Sequence, residues 1–273
     1  MKTVLITGAS GFVGQRFCVH NKDRYIIKAV SLQNTQVKDL DLSGVDVILH
    51  LAGIAHRMEK TDDSLYFEVN YELTKKLAEA AKQARVGHFI FVSTIKVYGD
   101  DHQLLTPETE CRPSDAYGKS KLMAEEALKN LESDDFRASI VRPPLIYGQG
   151  VKGNMQKLIK LVENRKYIPL GNINNERSMV GVDNFIALLD KVIESRVSGT
   201  FLIRDSEPTS TSRLISEIAK GKNIHINLIS IPGVMRFAMK VLAPEIYKRL
   251  FGSVVVDDKA TRDILNFDPP YSF

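Results

Sequence analysis

A glycine-rich turn between an apolar segment and a helical pattern constrains this chain more than any other feature. The apolar segment Val4-Leu5-Ile6 predicts a buried parallel strand, and the pattern from Phe12 to His20 predicts a helix. Between them, Gly8, Gly11 and Gly14 permit a tight turn, a close approach to a phosphate, and close packing of the helix on the strand. The helix would also offer free N–H groups at its start. This turn therefore predicts a dinucleotide site; a plain strand-to-helix turn is the alternative.

Strand and helix patterns alternate through the first half of the chain. The predicted buried strands are Thr3–Ile6, Tyr25–Val30, Val45–Leu49, Phe89–Val92 and Ala138–Val141, and the predicted helices are Phe12–His20, Ser64–Ala84 and Ser114–Leu131. Such alternation is typical of a doubly wound parallel sheet. Because the segment 31–44 is short for a full strand–helix–strand unit, we expect part of one crossover to be missing.

Shorter elements separated by glycine and proline follow in the second half. They predict helices at Asn154–Asn164, Asp183–Ser195 and Ser212–Lys220, and strands at Thr200–Arg204 and Ile224–Ile229. We therefore predict an α/β fold with a Rossmann-type doubly wound parallel sheet over residues 1–147. Residues 148–273 are predicted to form mainly a small C-terminal α/β substrate-binding lobe, with some segments that return to the first domain.

Composition and charge argue against several classes of function. The net charge of +4, from 37 basic and 33 acidic residues, is too small to suggest a nucleic-acid partner. Cys18 and Cys111 lack the spacing of a metal site, so we predict no metal and a reduced, cytoplasmic protein. The segment 228–243 is too short and too charged to span a bilayer. It predicts a core-facing helix, with an amphipathic helix on a membrane surface as the alternative.

A phenol, an ammonium and two hydroxyls carry the predicted chemistry. Tyr117 and Lys121 are four residues apart, on one face of a predicted helix. An ordinary tyrosine pKa of ~10 is too high for a proton relay at neutral pH, and a nearby cation lowers it. Ser93 and Thr94 follow a strand at the edge where ligands bind, and a hydroxyl there can stabilise developing negative charge. A solvated helix face and a capped strand end are the alternatives.

Taken together, these motifs resemble the extended short-chain dehydrogenases/reductases of the NAD-dependent epimerase/dehydratase family. The matching residues are Gly8-Ala9-Ser10-Gly11-Phe12-Val13-Gly14, His50-Leu51-Ala52-Gly53, Val69-Asn70, Ser93-Thr94, Tyr98-Gly99, Tyr117 to Lys121, and Arg142-Pro143-Pro144. They follow one another in the order that the family has.

The resemblance implies a role for each matching residue. It implies that Thr94, Tyr117 and Lys121 are catalytic. It implies that NAD(P)(H) is bound by Gly8, Ser10, Gly11, Phe12, Val13, Gly14, Asp41, Leu42, Leu51, Ala52, Gly53, Asn70, Tyr117, Lys121 and Pro144. It implies that a nucleotide sugar is bound by Ser93, Thr94, Asn154 and Arg177, the last two at its diphosphate. A surface salt bridge is the alternative for Arg177.

A second set of motifs resembles a bacterial surface-polysaccharide branch of the family. The set is Ser93–Val97, Val141–Gly148, Val151–Asn154, Pro169–Gly171, Arg177-Ser178 and Leu250–Ser253. It implies NAD(P)H-dependent reduction of a UDP-4-keto-6-deoxy-N-acetylhexosamine, of the UDP-N-acetylquinovosamine type, for O-antigen or lipopolysaccharide biosynthesis. The alternatives are a UDP-hexose or UDP-N-acetylhexosamine 4-epimerase that retains NAD, and a non-catalytic dinucleotide-binding protein. A 4,6-dehydratase is set aside because Thr94-Ile95-Lys96 lacks an Asp-Glu pair.

The end of the second predicted strand bears on the cofactor. Ala29-Val30-Ser31-Leu32-Gln33 contains no acidic residue for the adenosine ribose 2′-OH of NAD, which slightly favours NADP(H). Lys22, Lys28 or Lys38 are the candidate partners for its phosphate. The chain departs from the family at Gly53, where alanine is frequent, at Leu73, where glycine is frequent, and in its early end at Phe273. A lipid-linked sugar as substrate and a homodimer are both left open.

Overall fold

The computed structural model describes residues 1–55, 62–151, 153–205 and 207–271. Its strands are β1 (Thr3–Thr7), β2 (Ile26–Val30), β3 (Val47–His50), β4 (His88–Val92), β5 (Leu104–Leu105), β6 (Arg137–Arg142), β7 (Leu145–Tyr147), β8 (Tyr167–Gly171), β9 (Met179–Gly181), β10 (Gly199–Leu202), β11 (Asn227–Ser230) and β12 (Val255–Val256).

Its α-helices are α1 (Phe12–Asn21), α2 (Asp63–Tyr66), α3 (Leu73–Gln83), α4 (Ala116–Leu131), α5 (Asn154–Asn164), α6 (Val182–Ser195), α7 (Thr211–Gly221), α8 (Gly233–Leu242), α9 (Pro244–Phe251) and α10 (Lys259–Leu265). Two 3-10 turns, Val37–Asp39 and Ile95–Tyr98, and one π-helical segment, Phe67–Glu72, complete the described elements.

A six-stranded parallel sheet forms the centre of the molecule, in the order β10-β6-β4-β3-β1-β2. The chain leaves β1 for β2 on one side and then crosses to β3 on the other, so the order reverses between β1 and β3. Ligands of open α/β sheets bind outside the carboxyl ends of the strands at such a reversal. The predicted doubly wound Rossmann-type sheet is therefore confirmed, and its binding crevice lies between the loops after β1 and β3.

Helices cover both faces of the sheet. On one face the apolar side chains of α1 and α6, among them Phe17 and Phe185, pack on β1, β3 and β4. On the other face α3 and α4 pack on the same strands through residues such as Leu77 and Leu128. Because β1, β3 and β4 are covered on both sides, most of their residues are buried and apolar.

Three predicted elements differ from the structure. The second strand was expected to be buried, but β2 forms the edge of the sheet, and Ile26 is 51% exposed. The single helix expected over Ser64–Ala84 is α2, the π-helical segment and α3 in succession. The strand expected over Thr200–Arg204 is β10, which forms the opposite edge of the central sheet. Apolar patterns alone did not distinguish edge strands from central ones.

The connection from β2 to β3 contains a single 3-10 turn and no α-helix, in agreement with the expected short crossover. The C-terminal half adds the strand pair β8–β11, which packs with α5 and α7 around residues such as Val162, Ile168 and Ile215. By contrast, α8 and α9 bury none of their residues, so the core-facing helix predicted for residues 228–243 is wrong. Among the residues described, no helix combines the length and apolar character that crossing a membrane requires.

Candidate active site

The turn after β1 is built so tightly that two of its glycines have no room for a side chain. Gly8 has a φ of +74°, and a Cβ on it would lie 2.7 Å from the amide nitrogen of Ala52. A Cβ on Gly14 would lie 2.3 Å from the carbonyl oxygen of Gly8. The amide of Gly11 donates to that same carbonyl at 2.9 Å and precedes the first turn of α1. The turn thus brings the start of α1 against the loop after β3.

No described side chain caps the start of α1, and its first turn carries no acidic residue. Its N–H groups are therefore available to an anion, and the helix dipole favours one there. Ser10 and Gly11 are exposed, while Phe12 and Val13 lie half-buried against the core. The closed glycine turn and the uncapped helix start fit the pyrophosphate of a dinucleotide.

Thr94, Tyr117 and Lys121 come together where β4 ends against α4. Helix α4 begins under the cap of Asp115, whose carboxylate accepts from the Gly118 amide at 2.7 Å. This start places Tyr117 in the first turn, where its phenol is hydrogen-bonded to Thr94. One turn later, the ammonium of Lys121 donates to the carbonyl of Val92 at 3.0 Å. A hydroxyl, a phenol and an ammonium thus line the carboxyl end of β4.

The electrostatics of these groups differ from the sequence-based expectation. Desolvation raises the pKa of Tyr117 to about 12, and the hydrogen bond from Thr94 only partly offsets it. Desolvation lowers the pKa of Lys121 to about 8, against the favourable charge of Glu125. The expected lowering of the Tyr117 pKa by Lys121 is absent from this arrangement, because the Lys121 ammonium is directed to the Val92 carbonyl. At neutral pH Tyr117 carries its proton and can donate it.

Asn70 lies in the π-helical segment and joins the loop after β3 to α4. Its amide nitrogen donates to the Ile54 carbonyl at 3.0 Å and to the Ser120 hydroxyl at 3.2 Å, and its oxygen accepts from the Ile54 amide at 2.9 Å. A Cβ on Gly53 would lie 2.9 Å from the Asn70 oxygen and 3.1 Å from the Lys121 ammonium. The departure from alanine at Gly53 therefore has a steric reason in this chain.

Sequence reasoning gave no role to His50, which connects the two loops of the crevice. The hydroxyl of Thr74 donates to the Asn70 carbonyl at 2.8 Å, so it accepts from Nε2 of His50 at 2.9 Å. Nδ1 of His50 then accepts from the Thr7 hydroxyl at 2.6 Å, and that oxygen accepts from the Ala52 amide at 3.2 Å. Full burial lowers the pKa of His50 to about 3, so the ring is neutral. One imidazole thus fixes β1, β3 and the π-helical segment.

The structure directs the Ser93 hydroxyl away from Thr94. Ser93 is buried and donates to the carboxylate of Glu125 at 2.5 Å. The same carboxylate accepts from Nε of Arg142 at 3.0 Å, and the Arg142 guanidinium lies 4.7 Å from the Tyr98 ring centroid. Successive side chains of an extended strand point to opposite sides, which separates the two neighbouring hydroxyls. Ser93 is thus part of a buried charged network, in which its proton is already donated, and not of the group around Tyr117.

The remaining predicted residues are more dispersed. Asp41 is exposed and accepts from the Ser43 amide at 3.0 Å, whereas the Leu42 side chain belongs to the core beneath α3. Leu51 and Ala52 are half-buried in the loop after β3, and Pro144 is buried after β6. They lie at the carboxyl ends of the strands, where the resemblance requires cofactor contacts.

The two residues expected at the substrate diphosphate lie in the C-terminal half. Asn154 is the exposed first residue of α5. Arg177 is half-buried, and its guanidinium donates to the carbonyl of Arg249 at 2.8 Å. Burial and the charge of Arg249 lower the pKa of Arg177. Arg177 forms no ion pair with another described residue, whereas the alternative prediction for it was a surface salt bridge. Lys152, which belongs to the motif Val151–Asn154, and Phe273, where the chain was noted to depart from the family, lie outside the described residues.

The fold and the site together define a Rossmann-type enzyme in which a tyrosine and a lysine stand beside a dinucleotide cradle. Residues 4–203 match the family model described as "NAD dependent epimerase/dehydratase family", and the chain belongs to that family. It is thus an NAD(P)-dependent enzyme of the extended short-chain dehydrogenase/reductase type, as the sequence motifs predicted.

Three curated relatives show which enzyme activities occur among proteins similar to this chain. A UDP-glucose 4-epimerase from Vibrio cholerae is 30% identical over 98% of this chain and 91% of its own. An N-acetyl-alpha-D-glucosaminyl-diphospho-ditrans,octacis-undecaprenol 4-epimerase from Escherichia coli O157:H7 is 28% identical over 84% of this chain and 75% of its own. A UDP-2-acetamido-2,6-beta-L-arabino-hexul-4-ose reductase from Pseudomonas aeruginosa is 31% identical over 71% of this chain and 50% of its own.

Among solved structures, a UDP-glucuronic acid 4-epimerase from Bacillus cereus in complex with NAD superposes with a TM-score of 0.79. It is 20% identical, and the match covers 100% of this chain and 94% of that one. At this identity the likeness concerns the fold, and the match includes the C-terminal half of the chain.

Proposed function

We propose that this protein is a nucleotide-sugar oxidoreductase that acts at C4 of the sugar and reduces a UDP-4-keto-6-deoxy-N-acetylhexosamine. The observation that carries the choice of reduction is the lack of an acidic residue at the end of β2, where one would bind the adenosine ribose of NAD. The edge strand β2 ends at Val30 without an acidic residue after it, and a 3-10 turn replaces the crossover helix. A reductase must exchange its cofactor at every turnover, and few contacts at the adenosine end favour exchange.

The protonation state of Tyr117 supports the same direction. With a pKa raised to about 12, the phenol holds its proton at neutral pH, and it would donate that proton to the ketone oxygen as hydride transfer turns this oxygen into a strongly basic alkoxide. The Thr94 hydroxyl, hydrogen-bonded to that phenol, is placed to bind the same oxygen as it gains charge. A bound NAD(P)H would supply the hydride to C4. The ammonium of Lys121 lies one helical turn after the phenol, and it would stabilise the phenolate that remains after donation by turning to it from the Val92 carbonyl.

Substrate recognition is assigned to two side chains of the C-terminal half. Arg177 has a planar guanidinium that can bind a diphosphate through two hydrogen bonds, and its half-buried position shields that contact from water. Asn154 stands exposed at the start of α5, where N–H groups favour an anion. The similarity to UDP-sugar enzymes supports UDP as the nucleotide. A role in surface-polysaccharide biosynthesis, a preference for NADP(H) and a homodimer are further parts of this proposal.

The test is the absorbance at 340 nm of purified protein with NADPH or NADH and UDP-4-keto-6-deoxy-N-acetylglucosamine. We expect loss of reduced cofactor in proportion to the sugar, and the faster of the two cofactors identifies the preference. Tyr117→Phe should reduce turnover about 10²- to 10⁴-fold with an unchanged melting temperature. Unchanged absorbance with a folded, cofactor-binding protein would overturn the reductase.

A 4-epimerase is the second candidate function. The V. cholerae UDP-glucose 4-epimerase matches nearly the whole chain, including the C-terminal lobe. An epimerase would interconvert UDP-glucose or UDP-N-acetylglucosamine with its galacto epimer, without net change at 340 nm. Chromatography of the nucleotide sugars after incubation separates the two candidates. The name of the E. coli relative adds a sugar diphosphate linked to a polyprenol as a third substrate class, to be included in the same assay.

A further inference from the structure

Helices α8 and α9 present a continuous apolar surface to solvent. Six of their side chains have exposed fractions between 52% and 82%, namely Val234, Met235, Phe237, Val241, Leu242 and Ile246. We call these residues the α8–α9 face. Val234, Phe237 and Val241 are spaced as i, i+3 and i+7, and so form one stripe along α8. A soluble monomer rarely exposes so many large apolar residues side by side, so the face is a contact surface.

The hairpin that carries this face is anchored to the protein from its other side. The Arg236 guanidinium lies 4.6 Å from the Phe251 ring centroid, and the Tyr247 ring is stacked on Phe251 at 4.8 Å. Leu250 and Phe251 pack against the core of the C-terminal lobe. These contacts anchor the opposite side of the hairpin, and they therefore hold the α8–α9 face toward solvent.

The basic residues around the α8–α9 face indicate which kind of partner it binds. Residues 233–251 contain Arg236, Lys240, Lys248 and Arg249 against the single acidic Glu245. Among the described residues, only Lys248 of these four basic side chains has an acidic partner, Asp101 at 3.8 Å. Large apolar side chains bordered by basic ones suit the headgroup and acyl boundary of an anionic membrane. A second copy of this chain fits less well, since a twofold contact would bring the same cations together.

We propose that the α8–α9 face docks this protein on the surface of an anionic phospholipid bilayer. The helices would lie in the plane of the membrane, with the apolar stripe in the acyl boundary and Lys240 at the phosphates. Docking of this kind needs no membrane-spanning helix. It is independent of which reaction the protein performs.

The docked face also adjoins the candidate diphosphate site. Arg177 donates to the carbonyl of Arg249 in α9, and Asn175 donates to the carbonyl of Gly252 at 2.9 Å. A bilayer under α8 and α9 would therefore lie next to Arg177.

The test is flotation of the full chain with vesicles of phosphatidylglycerol and phosphatidylethanolamine, compared with vesicles of phosphatidylcholine alone. We expect partition onto the anionic vesicles that salt weakens. Lys240→Gln should weaken it roughly fivefold, as expected for one basic residue near the surface. Phe237→Ser with Val241→Ser should weaken it at least tenfold on both kinds of vesicle.

Matched controls use exposed residues of other helices. Val19→Ser on α1, and Lys129→Gln with Lys220→Gln, should leave partition unchanged. Tyr117→Phe should float like the unmodified chain, so that a failed activity assay and a failed docking assay remain distinct results. Absence of flotation, equal flotation of all variants, or a Phe237→Ser/Val241→Ser change that only converts a dimer to a monomer would each overturn the proposal.

Discussion

At the scale of single residues, two buried histidines hold parts of the fold together through hydrogen bonds. His50 makes two buried hydrogen bonds, one to a residue of β1 and one to a residue of α3, and it fixes the Ala52 amide through Thr7. His88 is a second buried histidine and bonds Ser139 at 2.7 Å. Burial lowers the pKa of each to about 3, well below the ordinary value of 6.5. Both must therefore stay neutral in the folded protein.

This burial predicts acid lability. Below pH 6.5 the unfolded chain binds a proton at each histidine while the folded chain does not, so stability is present above pH 6.5 and is lost as the pH falls toward 3. Urea unfolding at several pH values should show this slope, and His50→Gln should reduce it by about one proton. His20→Gln, at an exposed position, is the control and should keep the slope of the unmodified chain.

Gly53→Ala is predicted to impair activity more than folding. Its Cβ would displace the Lys121 ammonium and the Asn70 amide, which lie 3.1 Å and 2.9 Å from it. We expect turnover to fall about tenfold and stability by about 1 kcal/mol. Gly221→Ala, where a Cβ meets no atom within 4 Å, is the matched control in steady-state kinetics. A fully active Gly53→Ala enzyme would contradict this account of the site.

At the scale of elements, α4 is joined to the ends of two strands through one carboxylate. Glu125 accepts from Ser93 after β4 and from Arg142 at the end of β6, and both charged side chains are buried. Removing one member of such a pair leaves a buried charge without a partner. The network thus holds the helix that carries Tyr117 and Lys121 against the carboxyl edge of the sheet.

Substitutions in this network test whether Ser93 has a structural role or a role in substrate binding. Glu125→Gln should cost about 3–5 kcal/mol in the free energy of unfolding, and Ser93→Ala about 1–3 kcal/mol. Because the Ser93 hydroxyl donates to Glu125, we expect Ser93→Ala to keep the KM for the nucleotide sugar. Thr94→Ala is the contrasting variant and should lower kcat with little loss of stability. A raised KM in Ser93→Ala would restore Ser93 to the substrate site.

At the scale of the whole molecule, cofactor binding should stabilise the entire sheet. A dinucleotide at a hundredfold excess over its Kd adds about 2.7 kcal/mol, which corresponds to a melting temperature roughly 5–10 °C higher. Differential scanning fluorimetry with NAD(H) and NADP(H) measures this shift. Gly8→Ala, whose Cβ would strike the Ala52 amide, should abolish it. Tyr117→Phe should preserve it, and a shift that survives Gly8→Ala would place the cofactor elsewhere.

Much of this molecule was predictable from local patterns. The strands and helices of the first half, the glycine turn and the spacing of Tyr117 and Lys121 follow from periodicity and local motifs, whereas the choice of Thr94 as their partner came from the family resemblance. The exposure of β2 and the edge position of β10 could not be predicted from such patterns, because the order of strands in a sheet depends on contacts between distant segments. Glu125 carried an unused signal, since it follows Lys121 by one helical turn on the same face as Tyr117. His50 and the direction of Ser93 are matters of three-dimensional packing.

One side chain fixes each end of the first half of α4, and this limits which insertions and deletions the helix can accept. Asp115 fixes where the helix starts, and Glu125 fixes its rotation against the sheet. One inserted or deleted residue between them would turn everything beyond it by about 100° around the helix axis. Tyr117 and Lys121 would then face different directions, or Glu125 would lose Arg142. The spacing along this stretch is therefore constrained as a unit, whereas substitutions on its solvent side leave both contacts in place.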